Sequence, residues 1–442
     1  MTATVDLDPI ELLRTLIRFD TTNPPGNEAA CIAFLRELLT RAGVEATILA
    51  RDPNRPNLIA RLPGRGEAPG LVLQGHVDVV TTAGQAWEHP PFSAELVDGY
   101  VWGRGALDMK GGVAMMVTAF LRAWREGVRP AGDVILTIMS DEEAGSDYGA
   151  RFLVEEHPEQ FAGAAYAIGE GGGTAQTLFG RRYYPVMVAE KQVCWMRTEL
   201  RGPGGHGSTP LRGGAMARLG RLLTRLDQNR LPVHITPVME RMIQGLAEHA
   251  SPTEGDLLRR LLDPAQTDAV LDELADRGIP QHRLLDALLH NTVNATVVRG
   301  GAKTNVIPSR IELELDGRLL PGFTPQDLMT ELHALLGNDL TFEVIRHDPG
   351  VDRVDMGLFP LLAGILQELD PEGVPIPSMV AGFTDGRMFA RLGIQNYGFL
   401  PLKLPADFNA NATVHGANER VPVEAIRFGA EALYRALARY EG

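Results

Sequence analysis

Five short segments combine residue types that bind divalent ions or move protons. The first, Leu71-Val72-Leu73-Gln74-Gly75-His76-Val77-Asp78, is an apolar run ending in His-x-Asp. Side chains two apart on an extended chain share a face, so Asp78 can fix the tautomer and orientation of His76. The second, Gly103-Arg104-Gly105-Ala106-Leu107-Asp108-Met109-Lys110-Gly111-Gly112, sets one aspartate among glycines ahead of a helical pattern. Glycines let a backbone approach a ligand closely. The third, Ser140-Asp141-Glu142-Glu143-Ala144-Gly145-Ser146, follows the apolar run Val134–Met139. Three adjacent acids repel one another unless cations share their charge. Two neighbours facing different ways can divide the labour, one holding metal and the other moving protons. The fourth places Glu170 between Gly169 and Gly171 after Ala164–Ile168, and the fifth places His415 in Thr413-Val414-His415-Gly416-Ala417-Asn418-Glu419. Each alone has an ordinary structural reading as a satisfied pair, a helix cap or a solvated turn. Together they offer two histidines and three carboxylates, a nitrogen and oxygen donor set suited to zinc. That is one carboxylate more than a single tetrahedral ion uses; a second ion with a bridging acid at roughly 3.5–4 Å accounts for the surplus.

The elements that must position these residues are short apolar runs, Leu58–Leu62, Leu71–Leu73, Val134–Met139 and Ala164–Ile168, bounded by Gly, Pro or Asp. They read as buried strands. Helical patterns lie at Gly112–Trp124 and Tyr148–Glu155, and two more fill Pro9 to Ala50, separated by the turn Thr22-Asn23-Pro24-Pro25-Gly26-Asn27. Alternating strands and helices predict an α/β domain with a mostly parallel central sheet flanked by helices. In such a sheet the carboxyl ends of strands converge on one crevice, where these acids can meet. From Gln192 the texture changes. Strands at Val193–Leu200, Thr292–Val298, Ile311–Leu315 and Leu340–Arg346 accompany helices at Ala215–Leu226 and Pro325–Leu336 and a charged helical stretch, Glu240 to Leu289. This reads as an inserted α+β module. The apolar run Leu358–Leu369 and the final helix Val423–Tyr440 return to the first style. The expected organisation is residues 1–191, an inserted domain 192–349, and the first domain completed by 350–442.

At 442 residues, the chain is long enough for two domains with sizeable cores. Its 42 basic and 56 acidic residues give a net charge of −14, with no long basic run. Such a surface repels phosphate backbones and anionic lipid, which argues against nucleic acid and membrane partners. No run is long and apolar enough to span a bilayer. The stretch Met1 to Thr22 carries Asp6, Asp8, Glu11 and Asp20 and has no basic leader pattern, so a cytoplasmic location is expected. Two cysteines, Cys31 and Cys194, are too few for a disulfide framework or a sulfur-based metal site. Neither the loop Gly103–Gly112 nor the first βα turn carries a GxGxxG or GxxxxGK[ST] fingerprint, which argues against a nucleotide-dependent oxidoreductase, and no GxSxG supports a serine hydrolase.

The order and spacing GHVDVV, WGRGALDMKGG, SDEEAGS, a glycine-flanked acid and a late histidine resemble the co-catalytic dizinc amidohydrolases. That family includes aminoacylase, carboxypeptidase G, acetylornithine deacetylase and succinyl-diaminopimelate desuccinylase. The resemblance implies that His76 and Glu170 hold one zinc, that Glu143 and His415 hold the other, and that Asp108 bridges them, followed by a cis peptide to Met109. Glu170 stands where branches of the family carry either Asp or Glu. Asp78 would orient His76, and Glu142 would be general base and acid for a zinc-bound hydroxide. Cobalt or manganese could replace zinc. The inserted module would be a lid and homodimerisation domain. In it, Gly202-Pro203-Gly204-Gly205-His206-Gly207-Ser208 would supply a histidine that polarises the scissile carbonyl, often in the partner subunit's site. Asn305 and Arg318 would hold the substrate carboxylate. The segment Gly382-Phe383-Thr384-Asp385-Gly386-Arg387 would also touch substrate, through Gly382 and Arg387.

The implied reaction is hydrolysis of an amide beside a free carboxylate, in a dipeptide, a C-terminal residue or an N-acyl amino acid. N-acyl amino acid deacylation is the alternative to peptidase action, and a metal-retaining protein without catalysis is the remote one. Histidines 89, 157, 234, 249, 282, 290, 333 and 347 match nothing in the pattern and read as surface or core.

Overall fold

The computed structural model describes residues 7–350 and 353–442. Asp6 and residues 351–352 of the expected domain ranges lie outside them. The chain divides into two compact units. One comprises residues up to Val188 with Asp355–Ser378 and Thr384–Gly442; the other is Ala189–Val354 with Met379–Phe383.

The first unit is the expected α/β architecture. Its main sheet runs in the order Ala46–Leu49, Asn57–Leu62, Val134–Met139, Gly70–His76, Ala164–Gly169, Gln395–Gly398, Arg181–Glu190, Val374–Val380. The centre is parallel, with Gly70–His76 between Val134–Met139 and Ala164–Gly169, and the latter beside Gln395–Gly398. The pairs of Ala46–Leu49, Asn57–Leu62 and Val134–Met139 are antiparallel. Every residue of Gly70–His76 and Val134–Met139 is buried. Helices cover both faces of such strands, so they read as continuous apolar runs rather than alternating ones.

Register decides what leaves the sheet together. His76 pairs with Met139, so the chain after Met139 emerges beside the end of the His76 strand. Leu73 pairs with Ile168, and continuing that register brings Glu170 out level with Gly75. Helix Lys110–Arg125 buries Val113, Met116, Val117 and Phe120 completely. At roughly 1.5–3 kcal/mol for each large apolar side chain removed from water, this helix is a firm base for the loop that precedes it.

In the second unit, strands Thr292–Gly300, Arg310–Leu319, Gln192–Arg201 and Phe342–Asp348 form an antiparallel sheet in that order. Burial alternates along Arg310–Leu319, which leaves one face for a core. Leu219 and Leu222 of helix Ala215–Gln228 and Leu328 and Leu332 of helix Pro325–Leu336 fill that face with Met196, Leu313 and Leu315. Thr324 and Asp327 close a capping box before the second of these helices, with Pro325 in its first turn. The stretch expected to be helical from Glu240 to Leu289 is four helices, Pro237–His249, Pro252–Arg260, Thr267–Asp276 and His282–Leu289. Ser251 with Pro252 starts a new helix, and Gly278 at φ 69° follows the third.

No helix among the described residues is long and apolar enough to cross a membrane.

Candidate metal centre

His76, the last residue of its strand, is 1% exposed. Its Nδ1 lies 3.0 Å from the Asp78 carbonyl oxygen, an acceptor, so in the neutral ring Nδ1 carries the proton. The bare Nε2 then faces Asp108 Oδ1 at 3.4 Å and Glu170 Oε2 at 3.8 Å. It is buried and has no hydrogen-bond partner, as is Glu143 Oε1. A lone pair aimed at two carboxylates is repulsive unless a proton or a cation lies among them.

Asp108 sits in the glycine-rich loop before helix Lys110–Arg125, and the peptide from it to Met109 is cis. Its Oδ2 is 3.0 Å from His415 Nε2, which is 3.3 Å from Glu143 Oε2. Ligand-capable atoms of His76, Asp108 and Glu170 all lie within 4.8 Å of one another, and so do those of Asp108, Glu143 and His415. The two groups share Asp108. The remaining histidines join no such group among the described residues.

The electrostatics agree with a cluster that demands positive charge. Burial would lower the pKa of His76, yet Asp108, Asp78 and Glu170 raise it well above its ordinary value. Hydrogen bonds to Asp108 and Glu143 push His415 up to about 10. Burial works against ionised Asp108, but His415 and His76 hold it below the usual carboxylate range. Glu170 is pushed up to about 7, by burial first and then by Asp108, against the pull of His76. Two imidazoles and three carboxylates at these distances fit divalent-ion binding by the chemistry of their donors.

Glu142 opens a short 3-10 turn, Glu142–Ala144, and belongs to neither group. Burial and then the neighbouring Glu170 raise its pKa well above the ordinary carboxylate value. Asp78 holds this turn as well as His76. It accepts from Glu142 N and Glu143 N, both at 3.1 Å, and its Oδ1 is 3.4 Å from His76 Nδ1.

Behind Asp78 lies a network that sequence reasoning missed. Asn23 Nδ2 donates to Asp78 at 2.8 Å and to Asp141 at 3.0 Å. Asp141, at φ 71°, also accepts from Tyr148 N and pairs with Arg55, which pairs in turn with buried Glu28. The third acid of the triplet is therefore turned away from Glu142 and Glu143 into a structural knot. The only sequence signal was the turn around Asn23. Arg387, 3% exposed, donates to the Thr384 carbonyl at 2.8 Å and to Ser146 Oγ at 3.1 Å. Ser146 Oγ donates to Asp385, so this trio braces the far end of the Glu142 turn.

The family model for peptidase family M20/M25/M40 matches residues 72–439. The chain belongs to that family. It is a metal-dependent hydrolase of the metallopeptidase and amidohydrolase type. It is 26% identical over 376 residues to N-fatty-acyl-amino acid synthase/hydrolase of Mus musculus, covering 81% of this chain and 72% of that protein. It is 33% identical over 233 residues to a succinyl-diaminopimelate desuccinylase of Cereibacter sphaeroides, covering 51% and 58%. Its fold is similar to that of an M20 family metallo-carboxypeptidase from Sulfolobus solfataricus, with a TM-score of 0.69 at 16% identity over 98% of this chain and 99% of that one.

Of the remaining expected residues, His206, Asn305, Arg318 and Gly382 belong to the second unit and Arg387 to the first. His206 pairs with Val306 across the two-stranded ladder Gly205–His206 and Val306–Ile307, and Gly207 N donates to the Asn305 carbonyl at 2.9 Å. His206 and exposed Asn305 are thus brought together. Arg318 makes two hydrogen bonds to Asp316, at 2.7 and 3.0 Å, and lies over the Phe383 ring at 5.1 Å. Its Nη1 is buried with no partner. Met379–Phe383 groups with this unit, so Gly382 and Arg387 fall in different units.

Proposed function

We propose that this protein hydrolyses an amide bond next to a free carboxylate, with two divalent ions, zinc first among zinc, cobalt and manganese, as cofactors. The observation that carries the reading is the pair of ligand groups sharing Asp108, with His76 Nε2 and Glu143 Oε1 buried and unpartnered. In this reading His76 and Glu170 hold one ion, Glu143 and His415 the other, and Asp108 both. When bound, such ions lower the pKa of water and polarise a carbonyl.

The chain's own residues do the rest. Glu142 takes a proton from water and returns it to the leaving amine, and its raised pKa brings the carboxyl nearer the range where both transfers are easy. Asp78 fixes the His76 tautomer and the backbone of the Glu142 turn. In the inserted domain we assign carbonyl polarisation to His206 and substrate-carboxylate binding to Asn305 and Arg318; the unpartnered Arg318 Nη1 supports the last of these. Arg387 enters through its hydrogen bond to Ser146, as a brace for the base turn, and Gly382 borders the substrate loop.

N-acyl amino acids are favoured over dipeptides by one observation, the match to an N-fatty-acyl-amino acid hydrolase over 81% of the chain. We further propose a homodimer through the inserted domain, where strand Thr292–Gly300 forms a sheet edge and Met216 and Val298 are each 51% exposed. Both cysteines are free and buried, which suits a reducing, cytoplasmic setting. A panel of N-acetyl amino acids, long-chain N-acyl amino acids and dipeptides tests the reaction. Turnover of N-acyl amino acids above dipeptides is expected; a zinc-loaded protein that cleaves no member would overturn it.

A further inference from the structure

Glu419 belongs to neither ligand group, yet it is wholly buried, four residues past His415. Its Oε1 accepts from Leu107 N at 2.7 Å and Asp108 N at 3.1 Å; its Oε2 accepts from Gly105 N at 3.0 Å and Arg104 Nη1 at 2.5 Å. Its backbone carbonyl accepts from Gly103 N at 2.9 Å. A carboxylate offers about four acceptor sites, so this one is saturated by the loop that carries Asp108. Arg104, 1% exposed, extends the ties. Its Nη2 donates to the Gly416 carbonyl and to Gln85 Oε1, both at 2.9 Å, and Gln85 Nε2 donates to the His415 carbonyl at 2.8 Å.

These bonds join the loop of Asp108 to the loop of His415 without using a ligand atom of either. They continue the pairing of Arg420 with Trp102, which lays the two chain segments side by side. Beyond that pairing, His415 stands outside regular structure at φ 60°, so side-chain bonds must set its place. A buried ion pair adds little net stability over apolar packing of the same volume, whereas many converging donors fix position.

We propose that Glu419, with Arg104 and Gln85, is a positioning clamp that sets the approach of His415 to Asp108 and thereby the affinity of the Asp108–Glu143–His415 group for its ion. This rests on the two-ion reading above. Glu419→Gln keeps the volume but turns an amide donor toward backbone N–H groups. Gln85→Ala removes only the half-buried end of the clamp.

The test is a zinc titration of chelator-stripped protein by calorimetry, with bound ions counted per chain. Wild type takes two ions. Glu419→Gln binds the ion of the Asp108–Glu143–His415 group about 10–100-fold more weakly, in the range found for outer-shell partners of metal ligands, and the other ion, which shares Asp108 but not His415, is weakened less. Gln85→Ala weakens the ion of the His415 group to a smaller degree, and His415→Ala loses it. Wild-type affinity for both ions in Glu419→Gln, or in Gln85→Ala should the first variant not fold, overturns the clamp. Equal weakening of both ions also overturns it, because that marks a loosened fold. Fewer than two ions in wild type would instead bring down the two-ion reading, and the clamp with it.

Discussion

The two groups of candidate ligands share Asp108 but stand on different supports. His76 ends a fully buried central strand, and Glu170 follows the strand beside it, so both are placed by sheet register. His415 is 52% exposed and comes from a loop whose position depends on Glu419, Arg104 and Gln85. Backbone ladders hold atoms through many cooperative bonds, while side-chain ties can be lost one at a time. The difference teaches that one half is rigid before any ion arrives, whereas the other is set by a few replaceable contacts.

The largest expected effect belongs to a residue outside both halves. Glu142→Gln should retain both ions and lose on the order of 10²–10⁴-fold in kcat, the usual worth of a general base. A metal count beside steady-state kinetics checks it, and loss of an ion would move Glu142 into one of the halves. Next, Arg318→Ala should raise KM with little change in kcat. A charge-assisted hydrogen bond of about 1.5–3 kcal/mol corresponds to roughly 10–100-fold. A fall in kcat instead would tie Arg318 to the reacting atoms.

Chelation sharpens the comparison itself. Graded chelator should remove the ion of the His415 half first, leaving a one-ion protein that His415→Ala reproduces. Loss of both ions together would erase the distinction between the halves. The smallest effect is electrostatic. Glu142 must be ionised to accept a proton, so activity should rise as pH climbs through its raised pKa and fall below it. Asp385 is one of the charges that raise that pKa, after burial and Glu170. Asp385→Asn removes a negative neighbour and should move the acid limb of kcat/KM to lower pH; a shift to higher pH would reverse the account.

The residues that follow strands were the more legible in sequence, whichever half they serve. His76, Glu142, Glu143 and Glu170 each follow a buried apolar run, and apolar runs are local signals. Asp108 stood out through its glycines, and His415 through the family pattern. Asn23, Glu28, Arg55 and Glu419 left no comparable mark, because their partners lie 27 to 315 residues away and such bonds produce no periodicity. Ala46–Leu49, in the stretch read as helical, is a strand beyond the end of helix Ala29–Arg41, and two other strands were missed where composition argued against them. Val374–Val380 carries two prolines and Arg181–Glu190 one, and proline withholds a ladder donor. Val374–Val380 ends the sheet order, where a missing donor matters least.

The most direct test is to strip the protein of metal, return zinc in measured equivalents and follow hydrolysis of an N-acyl amino acid at each step. Stripped protein should be inactive, and turnover should climb to a plateau at two equivalents per chain. Full turnover in completely stripped protein, or a plateau at one equivalent, would contradict a centre built from two groups around Asp108.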